Sequence, residues 1–188
     1  MRFDKLTLKV QEALQEAQSL AGSRGHQGID VEHLLAALLN QPEGIVGAIV
    51  KKLGADAAAM NNAVKKALER IPRVEGAGTG QPYITPRLNK ILDLALTEAA
   101  RLKDEYASAE HLLIAMSEEK GGEAVKILRA AGITRDNIFK VFQNNFLDFD
   151  FFSRGFKDII TIGEILDFHG GDEGRAGGVR NLLTHATT

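Results

Sequence analysis

One feature constrains this chain more than any other. DVEHLLAAL at Asp30–Leu38 and SAEHLLIAM at Ser108–Met116 nearly repeat each other, with Glu32 and Glu110 78 positions apart. Holding that offset without gaps, Thr7 falls on Thr85, Leu14 on Leu92, Ala17 on Ala95 and Ala21 on Ala99. Further on, Gly44 falls on Gly122, Ile49 on Ile127 and Gly54 on Gly132. Other pairs are conservative, such as Val10 with Leu88, Lys51 with Arg129 and Met60 with Ile138. Ungapped agreement from residue 6 to about residue 66 marks an internal duplication. Two copies are too few for a solenoid, so a compact pseudo-symmetric pair is expected.

Each copy reads as four helices. Thr7 is a natural N-cap, and Val10, Ala13, Leu14, Ala17 and Ala21 form a stripe at helical spacing that should end near Gly22. SRGHQGI is a turn, and Asp30 caps a second helix with Leu34, Leu35 and Leu38 inward. QPEG breaks it. Ile45, Val46, Ile49, Val50 and Leu53 make a third helix that Gly54 stops, and Asp56 opens a fourth. In the second copy Thr85 is the cap and Pro86 takes the first helical position, where its missing N–H is no loss. Ser108 caps the next helix, Gly121 and Gly122 break it, Gly132 ends the third, and Ile138, Val141 and Phe142 face inward from the fourth. PRVEGAGTGQP between the copies has no periodicity and reads as a linker. The expected fold is all-α: a pseudo-twofold bundle of two tandem four-helix repeats, with no strand before residue 145. The boundaries are repeat one at about 6–70, a linker at 71–84 and repeat two at 85–145, together one domain over 1–145.

Residues 146–188 have no counterpart in the duplication. Eight of the nine phenylalanines occur from Phe139 onward, followed by a β-like patch at 159–166 and the glycine-rich HGGDEGRAGG. The expectation is a Phe/Gly-rich tail of uncertain order.

Composition narrows the function. The 188 residues contain no cysteine, which removes disulfides, thiol catalysis and thiolate metal sites. The net charge is −2 with both signs intermixed, so no basic patch points to nucleic acid. The N-terminal stretch carries charges every few residues, unlike a signal peptide, and no run reaches the ~18 apolar residues of a membrane span. A soluble, cytoplasmic protein is expected, with no nucleic acid and no membrane as partner.

The Glu–His pairs could be metal ligands, half of a catalytic pair or a helix first turn. A metal site would want a second His at i+4 in HExxH, but those positions are Ala37 and Ala115. Adjacent helical residues project in different directions and form no acid–base pair. The favoured reading is structural, with Glu32 and Glu110 as second helical residues facing their own helix dipole. HGGDEGRAGG lacks the Gly-Lys-Ser/Thr ending of a phosphate loop. Asp104, Glu105 and Glu110 read first as solvated surface; the sharper reading is an acidic rim beside an apolar groove. No catalytic, metal or cofactor-binding residues are assigned. Such a body binds something, and protein is the best expectation.

MRFDKLTLKVQEALQEAQSLA, IDVEHLLAALL, ALERIPRVEGAGTGQPYITPRL and DEYASAEHLLIAM through LRAAGITRDNI together resemble the Clp amino-terminal domain, within it the ClpB disaggregases. The resemblance covers residues 1 to about 145. It implies a module on a flexible linker above two ATPase rings, engaging unfolded or aggregated polypeptide that the rings thread through a pore. Its partners would be that polypeptide and the ATPase modules of the same disaggregase in a fuller chain, with no cofactor in this chain. Family positions linked with substrate engagement match Thr7, Asp104 and Glu110, and the family's apolar groove implies Leu94 and His111 as lining residues. The resemblance ends where the tail begins, and a stand-alone protein, a truncated or frame-shifted gene and an unrelated end stay open. The alternative is a regulatory or adaptor-type interaction domain of the ClpA or ClpC kind, its groove occupied by its own tail.

Overall fold

The computed structural model describes residues 3–74 and 81–144. The β-like patch, the phenylalanine run after residue 145 and the glycine-rich stretch lie outside the described residues. Among the described residues are eight α-helices: α1 Leu8–Ser23, α2 Val31–Asn40, α3 Ile45–Lys52, α4 Ala57–Glu69, α5 Pro86–Arg101, α6 Ala109–Ser117, α7 Glu123–Ala130 and α8 Arg135–Asn144. Each of α5–α8 begins 78 residues after its counterpart among α1–α4.

The core explains why the offset tolerates no gap. Val10, Ala13, Leu14, Ala17 and Ala21 are buried on α1, and the positions 78 later, Leu88, Ile91, Leu92, Ala95 and Ala99, are buried on α5. α2 and α6 are apolar on nearly every side, so they run through the middle, α2 packed against α1 and α4 and α6 packed against α5. Inserting one residue in either copy would rotate its stripe by about 100° and expose it.

The stops are local. Asp56 accepts from the amides of Ala58 and Ala59, and Thr85 accepts from Leu88. Gly54 and Gly132 take φ of 69° and 71° just past α3 and α7, a left-handed conformation that glycine adopts without strain. The first helix runs one residue past the expected Gly22, and Gly25 (φ 70°) is the left-handed residue beyond its end.

The strand-free expectation is corrected in a small way. β1 (Gly28–Ile29) pairs in parallel with β2 (Tyr83–Ile84), and Leu6 bridges Ala107 in the same sense. The second bridge is the first one transposed, since Leu6 corresponds to Ile84 and Ala107 to Ile29. The entry to α1 therefore pairs with the turn of repeat two, and the entry to α5 with the turn of repeat one. Two-residue strands are too short to show an alternating pattern in sequence.

Candidate functional site

The crossed bridges bring each first-helix N-terminus onto the other copy's α2-type helix. The Thr7 amide of repeat one donates to the Ala107 carbonyl of repeat two at 3.1 Å. Thr7 thus reaches the turn holding Asp104 and the first turn of α6, which carries Glu110 and His111. Lys103 occupies the left-handed region (φ 62°) where repeat one has Gly25, a strained choice for a residue with a side chain.

His111 is wholly buried. The Ser108 amide donates to its Nδ1 at 3.1 Å, and the Ser108 hydroxyl lies 2.8 Å from the same nitrogen. Nδ1 is therefore the ring's acceptor and Nε2 carries the hydrogen. Nε2 lies 3.0 Å from Asp104 Oδ2, so the buried ring and the carboxylate form a pair. Ser108, His111 and Asp104 are wired like a hydrolase triad, but Ser108 is a helix cap whose own amide already fills Nδ1. That nitrogen is not a base waiting for the hydroxyl proton.

Glu110 is 3% exposed. Burial pushes its carboxyl above the usual range, with His111 and Ser108 acting the other way. Outside the Asp104–His111 pair, three buried side-chain polar atoms among the described residues lack a hydrogen-bond partner: Thr7 Oγ1, Glu110 Oε1 and His26 Nε2. Unpartnered buried polar groups are uncommon in folded proteins. The last of the three lies at the equivalent place in repeat one.

The equivalent place in repeat one is built from the same positions and is satisfied apart from His26 Nε2. Thr85 donates its hydroxyl to Asp30 Oδ1 at 2.9 Å. Glu32 receives the Arg87 guanidinium at 2.8 and 2.7 Å and the amides of Glu123 and Ala124 at 3.2 and 3.1 Å. Burial raises the Glu32 carboxyl, but Arg87 and the Ala124 amide outweigh it and hold the group below its ordinary range. The Asp30 amide donates to His33 Nδ1 at 3.0 Å, so His33 Nε2–H donates to His26 Nδ1 at 2.8 Å. Burial, with His26 beside it, pushes His33 down to about 4, and burial with Arg24 and Arg73 lowers His26.

The sequence-based expectations fare unevenly. Thr7, Asp104, Glu110 and His111 come together. Leu94 stands 41% exposed on α5. The solvated-surface reading holds for Glu105 and fails for Asp104 and Glu110, whose side chains are buried. Thr7 makes no side-chain cap bond, and Glu32, in the first turn of its own helix, also accepts from the first turn of α7. His33 and His111 close the capping box on the backbone of Asp30 and Ser108, the role usually taken by Glu or Gln. Sequence reasoning missed Arg87, Glu119 and His26. The signal available was chemical disagreement between copies, Arg87 against Lys9, Glu119 against Gln41 and His26 against Asp104.

Among the described residues no group of three or more His, Asp or Glu could hold a metal ion, and no single helix is long and apolar enough to cross a membrane.

Known proteins agree with this architecture. The Clp repeat (R) N-terminal domain family matches residues 5–131. The chaperone protein ClpB of Bacillus cereus is 39% identical over 142 residues, 74% of this chain and 16% of that protein. The chain thus spans about a sixth of the length of such curated relatives. The N-terminal domain of Hsp104 from Candida albicans superposes with a TM-score of 0.63 at 21% identity, covering 84% of this chain and 96% of that one. The ClpV N-domain solved in complex with VipB peptide gives 0.61 at 23% identity, covering 80% and 89%. Duplicated helices, a central EHLL helix in each copy and these matches lead to one conclusion: the chain belongs to the Clp N-terminal repeat domain family.

Proposed function

We propose that this domain recognises unfolded or aggregated polypeptide for a ClpB-type disaggregase in the cytoplasm, working with ATPase modules of a fuller chain and needing no cofactor of its own. The observation that carries the reading is the exposed apolar pair Leu8 and Tyr106, 75% and 44% exposed, which flanks Thr7 and Ala107 where the two copies bridge. Exposed apolar side chains of this kind suit weak, sequence-tolerant contact with an unfolded chain. The capture of a peptide by a structurally similar N-domain supports a protein ligand.

The test is titration of the full chain with an unstructured synthetic peptide of Lys, Leu, Ser and Gly, followed by amide NMR shifts. Saturable shifts at Thr7, Asp104 and Glu110, weakened in Glu110→Gln, are expected. A flat response at all three positions overturns the reading.

A further inference from the structure

We infer that the turn after α1 binds a small oxyanion, a phosphate or a carboxylate, on His26 Nε2, Arg24 and Arg73. The site is separate from the surface proposed above and does not depend on it. A chain of hydrogen bonds fixes its donor. The Asp30 amide donates to His33 Nδ1 at 3.0 Å, which leaves the hydrogen of that ring on Nε2. His33 Nε2–H then donates to His26 Nδ1 at 2.8 Å, so His26 carries its own hydrogen on Nε2. That N–H belongs to a side chain only 2% exposed and has no acceptor among the described residues. Burial and the charges of Arg24 and Arg73 keep the ring neutral, so the donor stays in place.

Two cations meet where the acceptor is missing. Arg24 is the C-cap of α1. Arg73 arrives from the far end of repeat one, where the Val74 amide donates to the Gly25 carbonyl at 2.9 Å and the Arg73 Cβ lies 3.9 Å from the place a Gly25 Cβ would take. Among the described residues neither guanidinium forms an ion pair, and no carboxylate offsets their charge at His26. A buried N–H donor beside two unpaired guanidiniums suits an oxyanion, with one oxygen on the imidazole and the others on the two forks. Arg73 is exposed and Arg24 half-buried, so the anion enters from the Arg73 side. Repeat two needs no such ligand. Asp104 stands at the position of His26 and sets its own carboxylate 3.0 Å from His111 Nε2, and Leu102 stands at the position of Arg24. A bound anion does for His26 what Asp104 does for His111, one ring farther out.

The test titrates the full chain at neutral pH and constant ionic strength with inorganic phosphate, with acetate and with chloride. The readout is NMR of the His26 ring nitrogens and of the Gly25, His26 and Val74 amides. Saturable shifts are expected with phosphate, with acetate or with both, and none with chloride. Which of the two saturates assigns the site to phosphate or to carboxylate. Arg24→Gln and Arg73→Gln leave the apolar core untouched, and each should weaken binding about tenfold by removing one charged fork. His26→Asp replaces the donor with a carboxylate and should abolish binding. Lys66→Gln, which removes an exposed cation on α4, should leave the affinity unchanged and so controls for overall charge. Shifts that never saturate, or shifts that chloride reproduces, overturn the inference. So do folded Arg24→Gln and Arg73→Gln chains that bind like wild type, or a Lys66→Gln chain that is weakened as much as they are.

Discussion

The His26–His33 pair sets a pH dependence whose size follows from its geometry. His33 is held at about 4 against an ordinary 6.5. Between those values the unfolded chain binds the proton and the folded chain resists it, so stability rises with pH across the window and falls on acidification. The gap of about 2.5, at about 1.36 kcal/mol each, sets a ceiling of about 3.4 kcal/mol below pH 4. At pH 5 the loss relative to neutral pH is about 2 kcal/mol, and His26, lowered by the same burial, adds in the same direction. Glu32, held below its usual range, loses its contribution only at lower pH. Glu110, raised by burial, acts oppositely by gaining stability as it protonates, so a paired comparison is needed to cancel it. His26→Asp supplies the comparison, since it rebuilds in repeat one the Asp104–His111 pair of repeat two. Arg24 and Arg73, which disfavour a charged imidazole at position 26, favour a carboxylate there. Urea unfolding at pH 7 and pH 5 is the assay. Wild type should lose about 2 kcal/mol more than His26→Asp, roughly 6 °C in melting temperature. A difference under about 0.5 kcal/mol would refute the assignment of two neutral, mutually hydrogen-bonded imidazoles.

Other perturbations give distinct results. Arg87→Ala strands Glu32 as a buried, unpaired carboxylate and should lower stability by about 3–5 kcal/mol, read from urea midpoints at neutral pH. Glu110→Gln removes a charge that burial disfavours, so it should stabilise the fold by about 1 kcal/mol while peptide affinity drops about tenfold, seen together by calorimetry and thermal melts. Gly54→Ala and Gly132→Ala meet open space, so only the left-handed backbone counts, and each should cost about 1 kcal/mol by equal amounts in urea. Lys103→Gly goes the other way, raising the melting midpoint by relieving the same strain.

Most of the fold is legible in the sequence because its determinants are local. Apolar stripes at helical spacing, caps at Asp56 and Thr85, and left-handed glycines at 54 and 132 lie within a few residues of what they control. The candidate site is legible only in part. Glu32 and Arg87 meet across 55 residues of chain and across the two copies, so no window containing one includes the other. Burial of Asp104 and Glu110 is decided by tertiary packing, and a charged residue near a turn looks solvated until that packing is in place. His26 and Asp104 share one position in the duplication, and their different chemistry is visible only when the copies are aligned and then read for disagreement.

The two polar half-sites, around Glu32 and around Glu110, differ by more than one residue, and the differences are mutually consistent. Where Arg87 is present, Asp30, Glu32 and Glu119 surround it, and three carboxylates around one guanidinium each keep a hydrogen bond. Where Lys9 turns away, the matching positions are Ser108, Glu110 and Gln41, and two of the three acids are gone. Keeping all three acids without the guanidinium would stack unpaired carboxylates in a desolvated corner, at several kcal/mol each. Gln41 instead donates to the Lys9 carbonyl at 2.9 Å, which ties the opening of α1 in place without filling the site. Glu110 is therefore the one acid of the three that repeat two keeps, with Asp104 beside it paired to His111. The shared core requires the copies to match in register and volume, whereas the polar half-sites at the crossed bridges need only be self-consistent. That freedom is what lets one fold hold a guanidinium among three acids in one half and none at the matching place in the other.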